Sequence, residues 1–141
     1  MKKRSFIYSL FCAFAVCITA CSSDDLTIEE MTLSKSEQKA IQKLVTTNLS
    51  ITQKKQVTIE EVKLKKIDDT YYLSMKHGDQ VTTTLLKVEN GTTLTYAGIS
   101  CTSKSCSTTD GCIPAKDKKK CTKCPWSTDC TKTVTSDELT E

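Results

Sequence analysis

Residues 80–100 read "QVTTTLLKVENGTTLTYAGIS". Two runs rich in Val, Thr, Leu, Tyr and Ile flank "ENGT" (89–92). The pair Asn90-Gly91 is a strong local sign of a two-residue hairpin, because both central residues of that turn need positive φ. The stretch therefore predicts two antiparallel strands, 80–88 and 93–100. Working upstream, "TYYLSMK" (70–76) places Tyr71, Leu73 and Met75 on one face of a strand. "HGD" (77–79) and Asp68-Asp69 have the composition of turns. "QVTIEEVKLKKI" (56–67) reads as one more strand. Its apolar parity shifts between Ile59 and Val62, which predicts a bulge near Glu60-Glu61. Four strands joined by short turns make an antiparallel meander.

Before the meander comes "LSKSEQKAIQKLVTTNLS" (33–50). Ser34 and Glu37 have capping-box spacing, and Leu33 can staple onto the first turn. Ala40, Ile41, Leu44 and Val45 recur at helical spacing, with Lys39, Gln42 and Lys43 turned outward. This predicts an amphipathic helix over about 35–48 that covers one face of the sheet. The expected fold class is α+β: one N-terminal helix packed on a four-stranded antiparallel meander within residues 34–99, followed by a small disulfide-rich segment, 100–141.

Charge and composition exclude several function classes. The 141 residues carry a formal net charge of +3, but Lys2, Lys3 and Arg4 account for it, and the remaining 17 basic and 17 acidic side chains balance. Nucleic acid is not an expected partner, since it calls for a basic excess on one face. His77 is the sole histidine. Copper binding through Met75 and His77 is conceivable on a strand, but "HGD" makes His77 read as a solvated turn residue. No triad and no Gly-rich phosphate loop is present, so no catalytic residue and no cofactor is assigned. "NLS" (48–50) has only the form of a glycosylation sequon.

The N-terminus, "MKKRSFIYSLFCAFAVCITAC", joins a basic cluster to an apolar run from Phe6 to Ile18. That run is shorter than the ~20 residues needed to span a bilayer. It has the length of a signal-peptide apolar region. "ITAC" (18–21) then resembles the lipobox of bacterial lipoproteins, with Ile18 where Leu is commoner. The resemblance covers only residues 1–25. It implies a signal peptide over 1–20, cleavage between Ala20 and Cys21, and a diacylglycerol thioether on Cys21 carrying fatty chains such as palmitate. Cys12 and Cys17 would leave with the leader. Several acyl chains on one residue anchor a protein firmly, at about 0.8 kcal/mol per buried methylene. Ser22 after the lipid cysteine implies sorting to the outer membrane. "SSDD" (22–25) resembles the acidic export tag of Bacteroidetes surface lipoproteins. Residues 21–33 read as a tether.

The last third holds Cys101, Cys106, Cys112, Cys121, Cys124 and Cys130. From Ser100 onward the large apolar residues are Ile113, Trp126, Val134 and Leu139. Four cannot offset backbone ordering at about 1 to 2 kcal/mol per residue. Such a segment must be disordered or held by cross-links or metal. An exported chain meets oxidising conditions, and six cysteines remain once Cys21 is lipidated, which favours three disulfides in one of fifteen pairings. Zinc is the runner-up. Cys121 and Cys124 have CxxC spacing, but a zinc ribbon wants a second such pair. A redox CxxC is a third reading, although "CTKCPW" lacks the strand-to-helix setting of thioredoxin-type sites. Lys118–Lys120, with Asp117, Asp137, Glu138 and Glu141 nearby, read as a solvated loop.

The chain is thus expected to be a non-enzymatic envelope lipoprotein. It would be held to the outer membrane through Cys21 and would bind a protein or glycan partner, with no metal and no cofactor. The alternative is an envelope thiol redox or metal-binding protein that uses the cysteine-rich tail.

Overall fold

The meander is present as one side of a larger sheet. A computed structural model describes residues 25–135. Its elements are β1 (Leu26–Ile28), β2 (Met31–Leu33), α1 (Lys35–Gln53), β3 (Glu61–Ile67), β4 (Thr70–His77), β5 (Gln80–Glu89), β6 (Thr93–Ser103) and β7 (Thr131–Val134). The sheet has seven strands in the order β1-β2-β6-β5-β4-β3, with β7 also paired to β6. Its two edges, β1 and β3, approach one another. Lys66 Nζ reaches Glu29 Oε2 at 2.9 Å across the seam. The molecule is therefore mostly sheet, curled into a nearly closed barrel with one helix. The expectation of one helix on a four-stranded meander is overturned.

The physical reason for the miss is strand length and composition. β1 and β2 have three residues each, too few to show a period-two pattern. They pair through a tight turn at Glu29 (φ 54°). β2 then docks parallel to β6 at Thr32, whose N–H donates to Thr92 O at 2.8 Å. The sheet thus begins inside the stretch expected to be a tether. β7, "TKTV", is mostly polar and is recognisable only by its antiparallel partner on β6.

The turns form where their residues predict, although the β5–β6 hairpin closes on the Glu89–Thr93 pair around a three-residue loop instead of a two-residue one. Asp68, Asp69, Asn90 and Gly91 all have positive φ. The bulge lies elsewhere than expected. β3 starts at Glu61, and the register shift falls between Thr84 and Leu86 of β5, opposite Ala97–Ile99 of β6. Gly98 occupies it at φ 83°, a conformation a side chain would resist.

Helix α1 runs to Gln53, beyond the expected 48, and ends on Lys54 in the left-handed region. Ser34 Oγ accepts the Glu37 N–H at 3.2 Å, as a cap should. The Glu37 carboxylate does not close a capping box but accepts the Tyr96 N–H at 2.9 Å. That N–H lies on the β6 edge between its pairings with β2 and β7. Ile41, Val45 and Leu49 make the buried stripe of the helix. They pack with Leu33, Tyr71, Leu73, Met75, Leu86, Leu94 and Tyr96 on the inner face of the sheet. Burial of each such side chain contributes about 1.5–3 kcal/mol.

The outer face is also apolar. Tyr72, Leu85, Ala97 and Ile99 form a second core, closed by Ile113 from the cysteine-rich segment. Tyr72 donates its hydroxyl to Pro114 O at 3.2 Å. The layers are thus helix, sheet and cysteine module, and β6 contributes residues to both faces of the sheet.

Candidate functional site

Three disulfides hold the module: Cys101–Cys121, Cys106–Cys124 and Cys112–Cys130. The first three cysteines pair in order with the last three, so every loop interlocks with the others. Cys101 sits within β6 and fixes the module to the sheet. Cys101, Cys106, Cys112 and Cys124 are buried and form the module's small core. The C-terminal segment is disulfide-rich, as its poor apolar content demands. Of its large apolar residues, Ile113 is buried, whereas Trp126 is 84% and Val134 64% exposed. Leu139 lies outside the described residues, as do residues 1–20, expected from sequence to be a signal peptide with Cys12 and Cys17 in it, and Cys21, the expected lipidation site.

Asp129 organises the module's base. Its carboxylate accepts the Lys104 and Ser105 N–H groups, each at 2.9 Å, together with the hydroxyls of Ser103 (2.8 Å) and Ser127 (3.2 Å). The Ser105 amide first, then the Ser103 hydroxyl, hold its carboxyl well below the usual carboxylate range. An anion so stabilised is a poor proton acceptor. Ser103 Oγ also accepts the Cys106 N–H at 3.0 Å, so one small network sets the turn that leaves β6.

Pro125 and Trp126 form the tip of a tight turn closed by a bridge between Cys124 and Ser127. Beside it lies a groove of about 650 Å³, lined in part by Lys119, Lys120, Lys123 and Lys132. A small hairpin supports this region: Pro114 bridges Cys121, and Ala115 N–H donates to Lys120 O at 2.9 Å. Lys132 Nζ donates to Lys119 O at 2.7 Å, which ties two of the groove's lining residues together.

A second, smaller cavity of about 150 Å³ lies between α1 and strands β5, β6 and β7. Asn48, Thr52, Gln80, Thr102, Thr131 and Thr133 are among its polar lining. A chain of buried hydroxyls runs along its wall. His77 Nε2 lies 2.9 Å from Thr82 Oγ1, which lies 2.8 Å from Thr102 Oγ1. Thr84 and Ser100 pair at 2.9 Å beside them. His77 is the last residue of β4 and is buried, not the solvated turn residue its sequence suggests. Burial pushes its pKa down. Met75 is fully buried in the apolar core.

For metal chemistry, the sulfurs of Cys101, Cys121 and Cys130 lie within 4.8 Å of one another. All three are in disulfides, and a disulfide sulfur offers no thiolate. Metal binding there would require reduction. The groove and its exposed tryptophan escaped the sequence reading. Their signal was Trp126 within a cysteine-bounded Pro-Trp turn beside a lysine run. The chain matches no protein-family model, and it matches neither a curated protein nor a solved structure.

Proposed function

We propose that the chain is a lipid-anchored envelope lipoprotein, non-enzymatic, whose disulfide-rich module is displayed to bind a protein or glycan partner. The observation that carries this reading is the trio of interlocked disulfides, because such bonds persist in oxidising compartments outside the cytoplasm. The lipobox-like "ITAC" supports an anchor on Cys21, and Ser22 supports placement on the outer membrane. The described sheet begins at Leu26. Five residue steps from Cys21 reach at most about 17 Å, so the domain would sit close to the headgroups. A binding role also fits the acid–base inventory: Asp129 is committed to backbone amides, and His77 to a buried hydroxyl.

Palmitate labelling tests the anchor. Cys21→Ala should abolish incorporation and release the protein from detergent fractions, since only a thiol forms the thioether. Continued labelling of the variant would refute the anchor. A second reading, thiol redox or metal binding, draws on the clustered sulfurs of Cys101, Cys121 and Cys130. Thiol counting separates the two: the binding-module reading expects no free thiol among the six. Six alkylatable thiols with stoichiometric zinc would favour the second.

A further inference from the structure

The geometry points to a binding site for an acidic polysaccharide in the groove beside Trp126, an inference that rests on the reading of the cysteine segment as a binding module. Trp126 stacks on the C–H face of a sugar ring, and Lys119, Lys120, Lys123 and Lys132 meet the ligand's carboxylate or sulfate groups.

Rigid presentation is the first argument. An indole that is 84% exposed ordinarily indicates a loose surface loop or a contact surface. Here the turn is short, begins with Pro125, and is closed by the Cys124–Ser127 bridge. It is tied down by the Cys106–Cys124 disulfide and by Ser127 Oγ on Asp129. A backbone held this way loses little entropy on binding and presents the ring from a fixed point, as an aromatic hot spot requires.

Charge is the second. Among the described residues no carboxylate lines the groove, while four lysines do. Among the described residues, Lys119, Lys120 and Lys123 make no ion pair. Lys132 Nζ donates to the Lys119 carbonyl, a neutral partner. Such a field attracts a polyanion and weakens with salt. From sequence alone the lysine run is a solvated loop; its arrangement around a concave wall with one exposed ring is what the fold adds.

Shape and polar lining are the third. The groove is concave and roomy, at about 650 Å³, and Thr122, Ser127 and Thr128 add hydroxyl groups. A flexible polymer with alternating apolar ring faces, hydroxyls and acids fits all three features. A flat membrane surface would meet the tip and leave the groove empty.

Trp126 is the single tryptophan, so intrinsic fluorescence reads the site directly. The oxidised full chain, held in a neutral maltoside detergent, is titrated with polygalacturonate, heparin and dextran. The expected result is a saturable blue shift with at least one of the two polyanions, reduced by salt, and none with neutral dextran. Lys119→Gln with Lys120→Gln should weaken binding about tenfold. Trp126→Ala, followed by calorimetry, should weaken it by a similar factor. These side chains are exposed, and non-reducing mass spectrometry checks that the three disulfides survive. No response to either polyanion overturns the proposal. Undiminished affinity in Trp126→Ala also overturns it, by reducing the attraction to diffuse charge. A blue shift with phosphatidylglycerol vesicles but not with the polysaccharides would make the tip a membrane contact instead. Palmitate labelling of the same preparation reads the anchor separately, so failure of the groove and failure of the lipoprotein reading remain distinguishable.

Discussion

Removing one staple gives a measurable loss whose size follows from the interlocked pairing. Consider Cys101→Ala with Cys121→Ala. The bond closes a sequence separation of 20 residues. Taken alone, closure of such a loop restricts the unfolded chain by about 3 kcal/mol. The other two bonds shorten that loop. Through Cys106–Cys124 the path is five residues from Cys101 to Cys106 and three from Cys121 to Cys124. Because the entropy depends only logarithmically on loop length, the contribution falls only to about 2.5 kcal/mol. Urea unfolding followed by circular dichroism should therefore show a lower midpoint, with a slope no smaller than before because the released unfolded chain exposes more surface. At a slope of about 1–3 kcal/mol per molar for a small protein, the midpoint moves by about 1–2.5 M. Hydrogen exchange locates the damage. Protection should fall at Thr131–Val134 and at the end of β6, because the staple holds the module to that strand. β3, β4 and the first half of β5 should keep theirs. A loss under about 0.5 kcal/mol, or a uniform loss across the whole sheet, would refute this reasoning.

Three further outcomes are expected. Leu73→Ala, at a fully buried position between sheet and helix, should cost about 2–5 kcal/mol in the same urea experiment. Gly111→Ala should hinder oxidative refolding, measured as the yield of three-disulfide species, because the new Cβ would stand 2.6 Å from Cys106 Sγ and 3.2 Å from Lys123 O; an unchanged yield would count against that packing. His77 has a folded pKa lowered chiefly by burial, with Glu60 and Asp79 opposing and Lys55 assisting. The unfolded state then binds the extra proton, so stability is fully present above the unfolded pKa of about 6.5 and declines as pH falls through it, with a slope no steeper than about 1.4 kcal/mol per pH unit. His77→Gln should flatten the urea midpoint between about pH 7.5 and pH 5.5, and an equal slope in both proteins would show that the ring does not titrate as argued.

Local chemistry made the meander β3–β6 legible. Asn90-Gly91 and Asp68-Asp69 could hardly be other than turns, and Ser34 marked the helix start. The alternation of Tyr71, Leu73 and Met75 gave one buried face. Yet Tyr72 between them is buried too, as are Leu85 and Ile99. A sheet covered on both faces loses the alternation that marks a solvated side. That double coverage required knowing that the cysteine segment folds back over the meander, and no local pattern states this. β1, β2 and β7 were hidden for the same reason: their pairing is non-local, and their side chains carry almost no periodic signal.

The cysteines were legible as staples because the missing apolar mass had to be replaced by covalent bonds. Their pairing was not legible, since fifteen arrangements satisfy the same count. Strand β6 fixes one end of the set. By carrying Cys101 outward beside Ala97 and Ile99, it anchors the module on the face opposite the helix. This has a consequence for the only tryptophan. Counted among the segment's scarce apolar residues, Trp126 would be expected to fill its core. The disulfides and Ile113 already occupy that core, so the indole is left on a rigid tip facing water. Staples that replace a hydrophobic core release the large aromatic side chain from packing, and a released aromatic ring beside four lysines is available for recognition.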